Sequence, residues 1–178
     1  MKNLAQNKIG IRIVCMSDLH NIDMFYKVPD GDVLIVAGDI CGVGNEAELK
    51  EFDDFLTLQP HPLKIVVAGN HDWPFALSTP DEAKKLLKNA IYLEDSGIDA
   101  FGLTFWGSPW QPWFFNWAFN LPRGQKLADV WSKIPNDTDI LITHSPPFGI
   151  LDIADGNHVG CRELTKALKR IHPKLHVF

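Results

Sequence analysis

Hydrophobic, mostly β-branched runs at residues 9–16, 33–37, 63–68 and 139–143 each stop at residues able to hold a metal ion. The first leads to Asp18 and His20, the second to Gly38-Asp39, the third to Gly69-Asn70-His71-Asp72, and the fourth to His144. A fifth run of the same texture occupies residues 174–178. Continuous apolar runs, as opposed to alternating ones, predict strands covered on both faces, as in parallel sheets flanked by helices. Helical signals lie between them. Residues 45–58 place Leu49, Phe52, Phe55 and Leu56 on one face, and Pro60 and Pro62 end the pattern. Thr79-Pro80-Asp81-Glu82 combines an N-cap, a first-turn proline and acidic residues, which predicts a helix to about residue 89. Further helices are predicted over 124–133 and 160–171. Short strands are predicted at 91–93, 98–101 and 103–106, with a turn at Asp95-Ser96-Gly97. This alternation predicts an α/β fold with parallel strands joined by right-handed crossovers. No linker, repeat or low-complexity segment divides residues 1–178, so one domain is expected. Ligands in open α/β sheets collect beyond the carboxyl ends of the strands, so four tips on one edge describe one site.

Composition narrows the setting. The chain has 178 residues, 46% hydrophobic and 22% charged, as a globular domain does. A net charge of −5 argues against a nucleic-acid backbone as the main partner. No apolar stretch is long enough to span a bilayer, and residues 1–8 are polar with no apolar segment after them, so neither a membrane anchor nor a secretory leader is expected. Cys15, Cys41 and Cys161 are odd in number and scattered, which suggests small buried side chains in a reducing cytoplasm.

The candidate chemistry rests on conjunction. Alone, each cluster reads more readily as turn chemistry or a core histidine. Asp18 and His20 are two apart, so on an extended segment they face the same way. Carboxylate, imidazole and amide ligands together suit Mn²⁺, Fe²⁺ or Zn²⁺. Asp39 has two oxygens and can bridge two ions about 3.5–4 Å apart; such a pair clamps a phosphate and activates a water, whose hydroxide attacks phosphorus in line. For His71 two readings stand. Either Asp72 orients its ring so that it protonates the leaving oxygen, or His71 is itself a ligand.

Other features also admit two readings. Trp106, Trp110, Trp113 and Trp117 fall at helical spacing, but Gly107, Pro109 and Pro112 forbid a helix. They form an aromatic loop, which serves either as a wall for a nucleobase or as cover for a core or a homodimer contact. Arg123 offers a fork to a phosphate or a surface ion pair. His158 either reaches the site from its loop or sits on the surface, and the helix start at Val159-Gly160-Cys161 is a place that attracts anions. His61, His172 and His176 read as structural or solvated.

Asp18-x-His20, Gly38-Asp39, Gly69-Asn70-His71-Asp72 and His144 resemble the first four signatures of the calcineurin-like metallophosphoesterases. Gly107-Ser108-Pro109-Trp110, Trp117-Ala118-Phe119-Asn120-Leu121-Pro122-Arg123-Gly124, Thr143-His144-Ser145-Pro146-Pro147, Val159-Gly160-Cys161 and Pro173-Lys174-Leu175-His176-Val177-Phe178 are similar to the metallophosphoesterase-domain-containing, cyclic-nucleotide-phosphodiesterase-like branch. The resemblance implies a two-sheet β-sandwich flanked by helices (α/β/β/α), with a dinuclear site at the strand tips. It implies two divalent ions, Mn²⁺ first, with Fe, Zn or Mg as the other options. Asp18 and His20 would hold one ion, Asp39 would bridge, and Asn70 and His144 would hold the other. His71, backed by Asp72, would be the catalytic imidazole. The expected substrate is a small phosphate ester, a cyclic nucleotide or similar diester, met by Asn70, His71, Trp110, Arg123 and His158. The family's fifth signature, Gly-His-x-His, is expected after Phe178 and does not occur within the 178 residues. Each ion would lack a ligand, so weak metal binding, at as few as one position, is expected, and a nucleotide- or metal-binding module with little catalysis is the alternative.

Overall fold

The computed structural model describes residues 10–21 and 27–178. Residues 1–9, which carry the leader expectation and the start of the first run, lie outside the described residues. The elements in chain order are β1 (Ile13–Met16), β2 (Val33–Ala37), α1 (Glu46–Thr57), β3 (Leu63–Val67), α2 (Trp73–Ala76), α3 (Pro80–Ala83), β4 (Ile91–Tyr92), β5 (Ser96–Ala100), β6 (Leu103–Ser108), β7 (Gln111–Pro112), β8 (Asn120–Leu121), α4 (Gln125–Ser132), β9 (Ile140–Thr143), β10 (Ile153–Ala154), β11 (Asn157–His158), α5 (Arg162–Ile171) and β12 (Leu175–Val177). Among the described residues no helix is long and apolar enough to cross a membrane.

Two four-stranded sheets form the frame, ordered β1-β2-β3-β4 and β12-β9-β6-β5. The first is parallel throughout; in the second only β5 runs antiparallel to its neighbour. The site strands do not share one sheet edge. The tips of β1, β2 and β3 belong to the first sheet and that of β9 to the second.

The period-2 geometry of strands explains the layers. Val33, Ile35, Ala37, Ile65 and Val67 turn inward to meet Phe105, Ile140, Ile142 and Val177 of the second sheet. Their sequence neighbours Leu34, Val36 and Val66 turn outward against Leu49, Phe52, Phe55 and Leu56 of α1. On the far side, α4 and α5 cover Leu141 with Leu127, Trp131, Leu164 and Ile171. The result is an α/β/β/α sandwich in which β2, covered on both faces, is wholly apolar. Cys15 departs from the expectation of a buried side chain and is exposed, because β1 is an edge strand.

Helix α1 begins where predicted. Asn45 accepts the amides of Ala47 and Glu48, and Glu48 returns a carboxylate to the Asn45 amide. The helix predicted from Thr79 to about residue 89 is far shorter. Its cap forms, with Thr79 Oγ1 accepting the Glu82 amide at 3.3 Å, but the helix ends at Ala83. The buried Asp53 takes the amides of Lys88 and Asn89 at 2.9 and 3.0 Å, so these donors are spent on a side chain of α1. The turn predicted at Asp95-Ser96-Gly97 also shifts: Ser96 and Gly97 are already in β5. The hairpin from β5 to β6 turns on Phe101 (φ 55°) and Gly102 (φ 74°), the two positive angles of a tight primed turn.

Candidate metal centre

Beyond Met16 the chain is not extended. Asp18 (φ 55°), His20 (φ 46°) and Asn21 (φ 54°) are left-handed, and so is Asp39 (φ 52°) after β2. Asp18 and His20 therefore do not converge by strand alternation. They converge because three rungs carry the β1–β2 pairing past the strand ends: Asp18 N to Gly38 O (3.0 Å), His20 N to Asp39 O (2.9 Å) and Asn21 N to Ile40 O (2.9 Å). Asp and Asn tolerate this conformation best, whereas for other side chains it costs about 1–2 kcal/mol per residue. Such strain survives where the surroundings over-determine the backbone, and it clusters at functional sites.

Two glycines let the tips close up. A Cβ on Gly38, itself at φ +97°, would lie 2.8 Å from Cγ of His144. A Cβ on Gly69 would strike Asp39 and lie 2.9 Å from Cε1 of His144.

Asp39 is 3% exposed and sits at the centre. Its Oδ2 lies 3.6 Å from Nε2 of His20 and 4.0 Å from Nε2 of His71, and its Oδ1 lies 3.4 Å from Nε2 of His144. Nε2 of His20 lies 4.0 Å from Oδ1 of Asp18. These gaps are long for hydrogen bonds. They suit donors that share an ion, since two ligands each ~2.1 Å from a metal at tetrahedral angles stand ~3.4 Å apart. The donor atoms fall into two groups, His20–Asp39–His71 and Asp18–Asp39–His144, each gathered within 4.8 Å, and Asp39 belongs to both.

The tautomers point the same way. Nδ1 of His144 faces the Ala37 carbonyl at 3.1 Å, and a carbonyl can only accept, so Nδ1 carries the proton. In the neutral ring the Nε2 lone pair then faces Oδ1 of Asn70 at 3.1 Å and Oδ1 of Asp39 at 3.4 Å. Three lone-pair atoms turned on one another suit a cation between them. By the same reasoning Nδ1 of His71 donates to the Gly42 carbonyl at 2.7 Å, which aims its Nε2 at Asp39. The donor set therefore fits divalent ions.

Asp72 does not do what its spacing suggested. Among the described residues its carboxylate does not bond the His71 ring; the Gly42 carbonyl holds that nitrogen instead. Asp72 is fully buried and accepts the amides of Gly69 (2.7 Å), Cys41 (2.8 Å) and Ile40 (3.3 Å). It pins the loop after β3 to the loop after β2. Burial pushes its carboxyl above the usual range, and the three amides act against that rise. The same burial, with Asp72 beside it, pushes the Cys41 thiol up, which leaves an inert structural thiol. Glu48 organises the turn between β2 and α1 in the same manner. Its carboxylate accepts the amides of Val43, Gly44 and Asn45 at 3.1, 2.8 and 3.2 Å. Burial raises its carboxyl, but these amides outweigh burial and hold it below the usual range.

A cavity of about 480 Å³ opens on the centre and is lined by Asp18, Asn70 and His144. Of the predicted substrate contacts, Arg123 lines it, but its guanidinium donates to the Gly160 and Val159 carbonyls at 2.7 Å each. Trp110 is not among its lining residues; its indole donates to Asp95 at 3.2 Å and packs edge-on against Phe119. His158 lies outside the lining as well, paired with the buried Asp152 at 2.7 Å. The aromatic loop expected to carry Trp113 and Trp117 divides its work. Trp117 stacks on the His71 ring at 4.1 Å and 23°, and Trp113 with Phe114 lines the cavity. The Gly42 carbonyl had no signal at all, because any residue supplies one.

The model of the calcineurin-like phosphoesterase family matches residues 11–178, and the chain belongs to that family, whose members are metal-dependent phosphoesterases with a binuclear site. Within it, the chain is 42% identical over 192 residues to metallophosphoesterase domain-containing protein 1 of Homo sapiens, covering 94% of this chain and 59% of that protein. It is 41% identical to two Caenorhabditis elegans proteins, UPF0046 protein T07D4.2 and UPF0046 protein K07C11.7, covering 50% and 62% of their lengths. The chain thus spans less than two thirds of these relatives. One solved crystal structure superposes with a TM-score of 0.69 over 93% of this chain and 82% of its own, at 17% identity, a likeness of fold.

Proposed function

We propose that this chain hydrolyses phosphodiesters, a cyclic nucleotide or a similar diester, with two divalent ions held on either side of Asp39. The observation that carries the reading is the membership of Asp39 in both donor groups. In this reading Asp18 and His20 would hold one ion and Asn70 and His144 the other, with Asp39 common to both, although the donor atoms as they lie gather Asp18 with His144 and His20 with His71. Mn²⁺ heads the choice of metal, because the donors mix carboxylate, imidazole and amide. When bound, such a pair supplies Lewis acidity to the phosphoryl oxygens and acidifies water.

The protein's own groups do the rest. The Gly42 carbonyl fixes the proton on Nδ1 of His71, so that Nε2 is the atom that carries and releases a proton at the site. Trp117 holds the ring plane. Protonated, His71 stabilises the transferring phosphoryl group or donates to the leaving oxygen. Asn70 turns its amide oxygen toward His144 and keeps its nitrogen for substrate. Cys15, Cys41 and Cys161 are all free, which suits the reducing cytoplasm.

The test is hydrolysis of bis(4-nitrophenyl) phosphate with added Mn²⁺. Turnover that depends on the metal and falls to background in Asp39→Ala supports the reading. Turnover that survives that substitution overturns it, and nucleotide binding with no turnover under any divalent metal assigns the chain to a binding module.

A further inference from the structure

Twelve large hydrophobic side chains stand exposed among the described residues, and seven of them crowd two short segments. Trp113, Phe114 and Phe115 occupy the first, with Trp113 60% exposed. Ile150, Leu151, Ile153 and Val159 occupy the second, with Leu151 91% exposed. Trp113, Phe114, Leu151 and Val159 line the cavity whose other end is Asp18, Asn70 and His144. An apolar cluster of this kind on a surface marks a binding face. Here it continues directly from the candidate metal centre.

The long polar side chains of the same cavity are already engaged. Gln111 donates to Asn120 at 2.9 Å, and Arg123 is held by two backbone carbonyls. For the edges of a nucleobase or the hydroxyls of a sugar, part of the hydrogen-bonding capacity of both side chains is already spent. An alkyl or aryl group asks for none.

We infer that this wall receives an apolar ester arm: the preferred substrate is a phosphodiester with its phosphate at the Asp18–Asn70–His144 end and one alkyl or aryl group laid against Trp113, Phe114, Leu151 and Val159. The inference rests on the phosphodiesterase reading and names its substrate class. Because the wall is half open, each methylene gains less than full burial provides. About fourfold per methylene is the value for full burial, and about twofold is expected here.

The experiment uses the full chain with Mn²⁺ and a series of 4-nitrophenyl alkyl phosphates from ethyl to hexyl, against the 4-nitrophenyl ester of thymidine 5′-phosphate. In parallel, calorimetry follows the binding of the matching alkyl monophosphates, which requires no turnover. The expected result is a rise in kcat/KM and in affinity of about twofold per methylene. The hexyl ester should outrun the thymidine ester, and the slope should be lost in Leu151→Asp combined with Val159→Asp. A flat series, a preference for the thymidine arm, or a slope that persists in the double variant overturns the inference. So does a flat series accompanied by self-association that the double variant abolishes, which would assign the wall to a second copy. If no diester is hydrolysed, the phosphodiesterase reading fails while the calorimetric slope still decides this one.

Discussion

The proposed sharing of Asp39 by two ions depends on neighbours that give up volume and accept strain. Gly38 is the clearest case: a methyl group there meets the His144 ring, and its φ of +97° already excludes most side chains. Gly38→Ala is expected to cost more than about 1 kcal/mol of stability, and to displace His144, so that metal affinity falls together with thermal midpoint; a calorimetric Mn²⁺ titration and a melting curve check both. Asp72 is a second case. Asn in its place turns an NH₂ group on backbone amides that themselves donate. Asp72→Asn is therefore expected to lose about 1–3 kcal/mol in denaturant unfolding, although it touches no metal. The metal-ligand candidates were legible in the sequence because apolar runs end at them. The work of Asp72 was not, since its partners are amides of Cys41 and Ile40, some thirty positions away, which leave no mark in side-chain spacing.

At the level of elements, the loop between β2 and α1 sets the His71 ring. Glu48 gathers the amides of Val43, Gly44 and Asn45, and this shapes the turn that presents the Gly42 carbonyl. Glu48→Ala is expected to lower stability by about 1–3 kcal/mol and to reduce kcat with little change in metal content, read by thermal melts, steady-state kinetics and metal analysis. The segment between β7 and β8 supplies the opposite face through Trp117. An aromatic stack is worth about 0.5–1.5 kcal/mol, so Trp117→Ala should lower kcat about twofold to tenfold while KM stays close to its original value. Boundaries were legible where a local cap decides them, as at Asn45 and Thr79. They were not beyond Ala83, where the chain tightens into turns closed by the amides of Lys85 and Leu86 and is then tied to α1 through Asp53, which takes the amides of Lys88 and Asn89; no window around residue 85 could reveal that tie.

For the whole molecule, two sheets packed face to face bring β9 beside β2 and β3, which the run pattern alone placed on one sheet edge. The second sheet also carries a titratable load. Thr143 Oγ1 donates to the Ser145 carbonyl, so Nε2 of His176, 2.9 Å away, must donate to that oxygen. Burial lowers the pKa of His176 to about 4, below the ordinary value of 6.5. Between these values the unfolded chain binds a proton that the folded chain refuses, so this contribution to stability is intact above pH 6.5 and is lost as pH falls toward 4. The depressed carboxyl of Glu48 acts in the same direction lower on the scale, its contribution disappearing as pH falls through its folded pKa. The thermal midpoint should therefore fall on acidification through that window, and His176→Asn should flatten the upper end of the slope.

The claim beneath all of this is that Asp39 joins two ion positions fed by loops from both sheets. Diffraction from crystals soaked in Mn²⁺, recorded at the manganese absorption edge, tests it directly. The expected map holds two peaks, each bonded to an oxygen of Asp39, one shared with Asp18 and His20 and the other with Asn70 and His144. A map in which no ion touches Asp39, or in which a single ion leaves Asn70 and His144 unengaged at saturating metal, contradicts it.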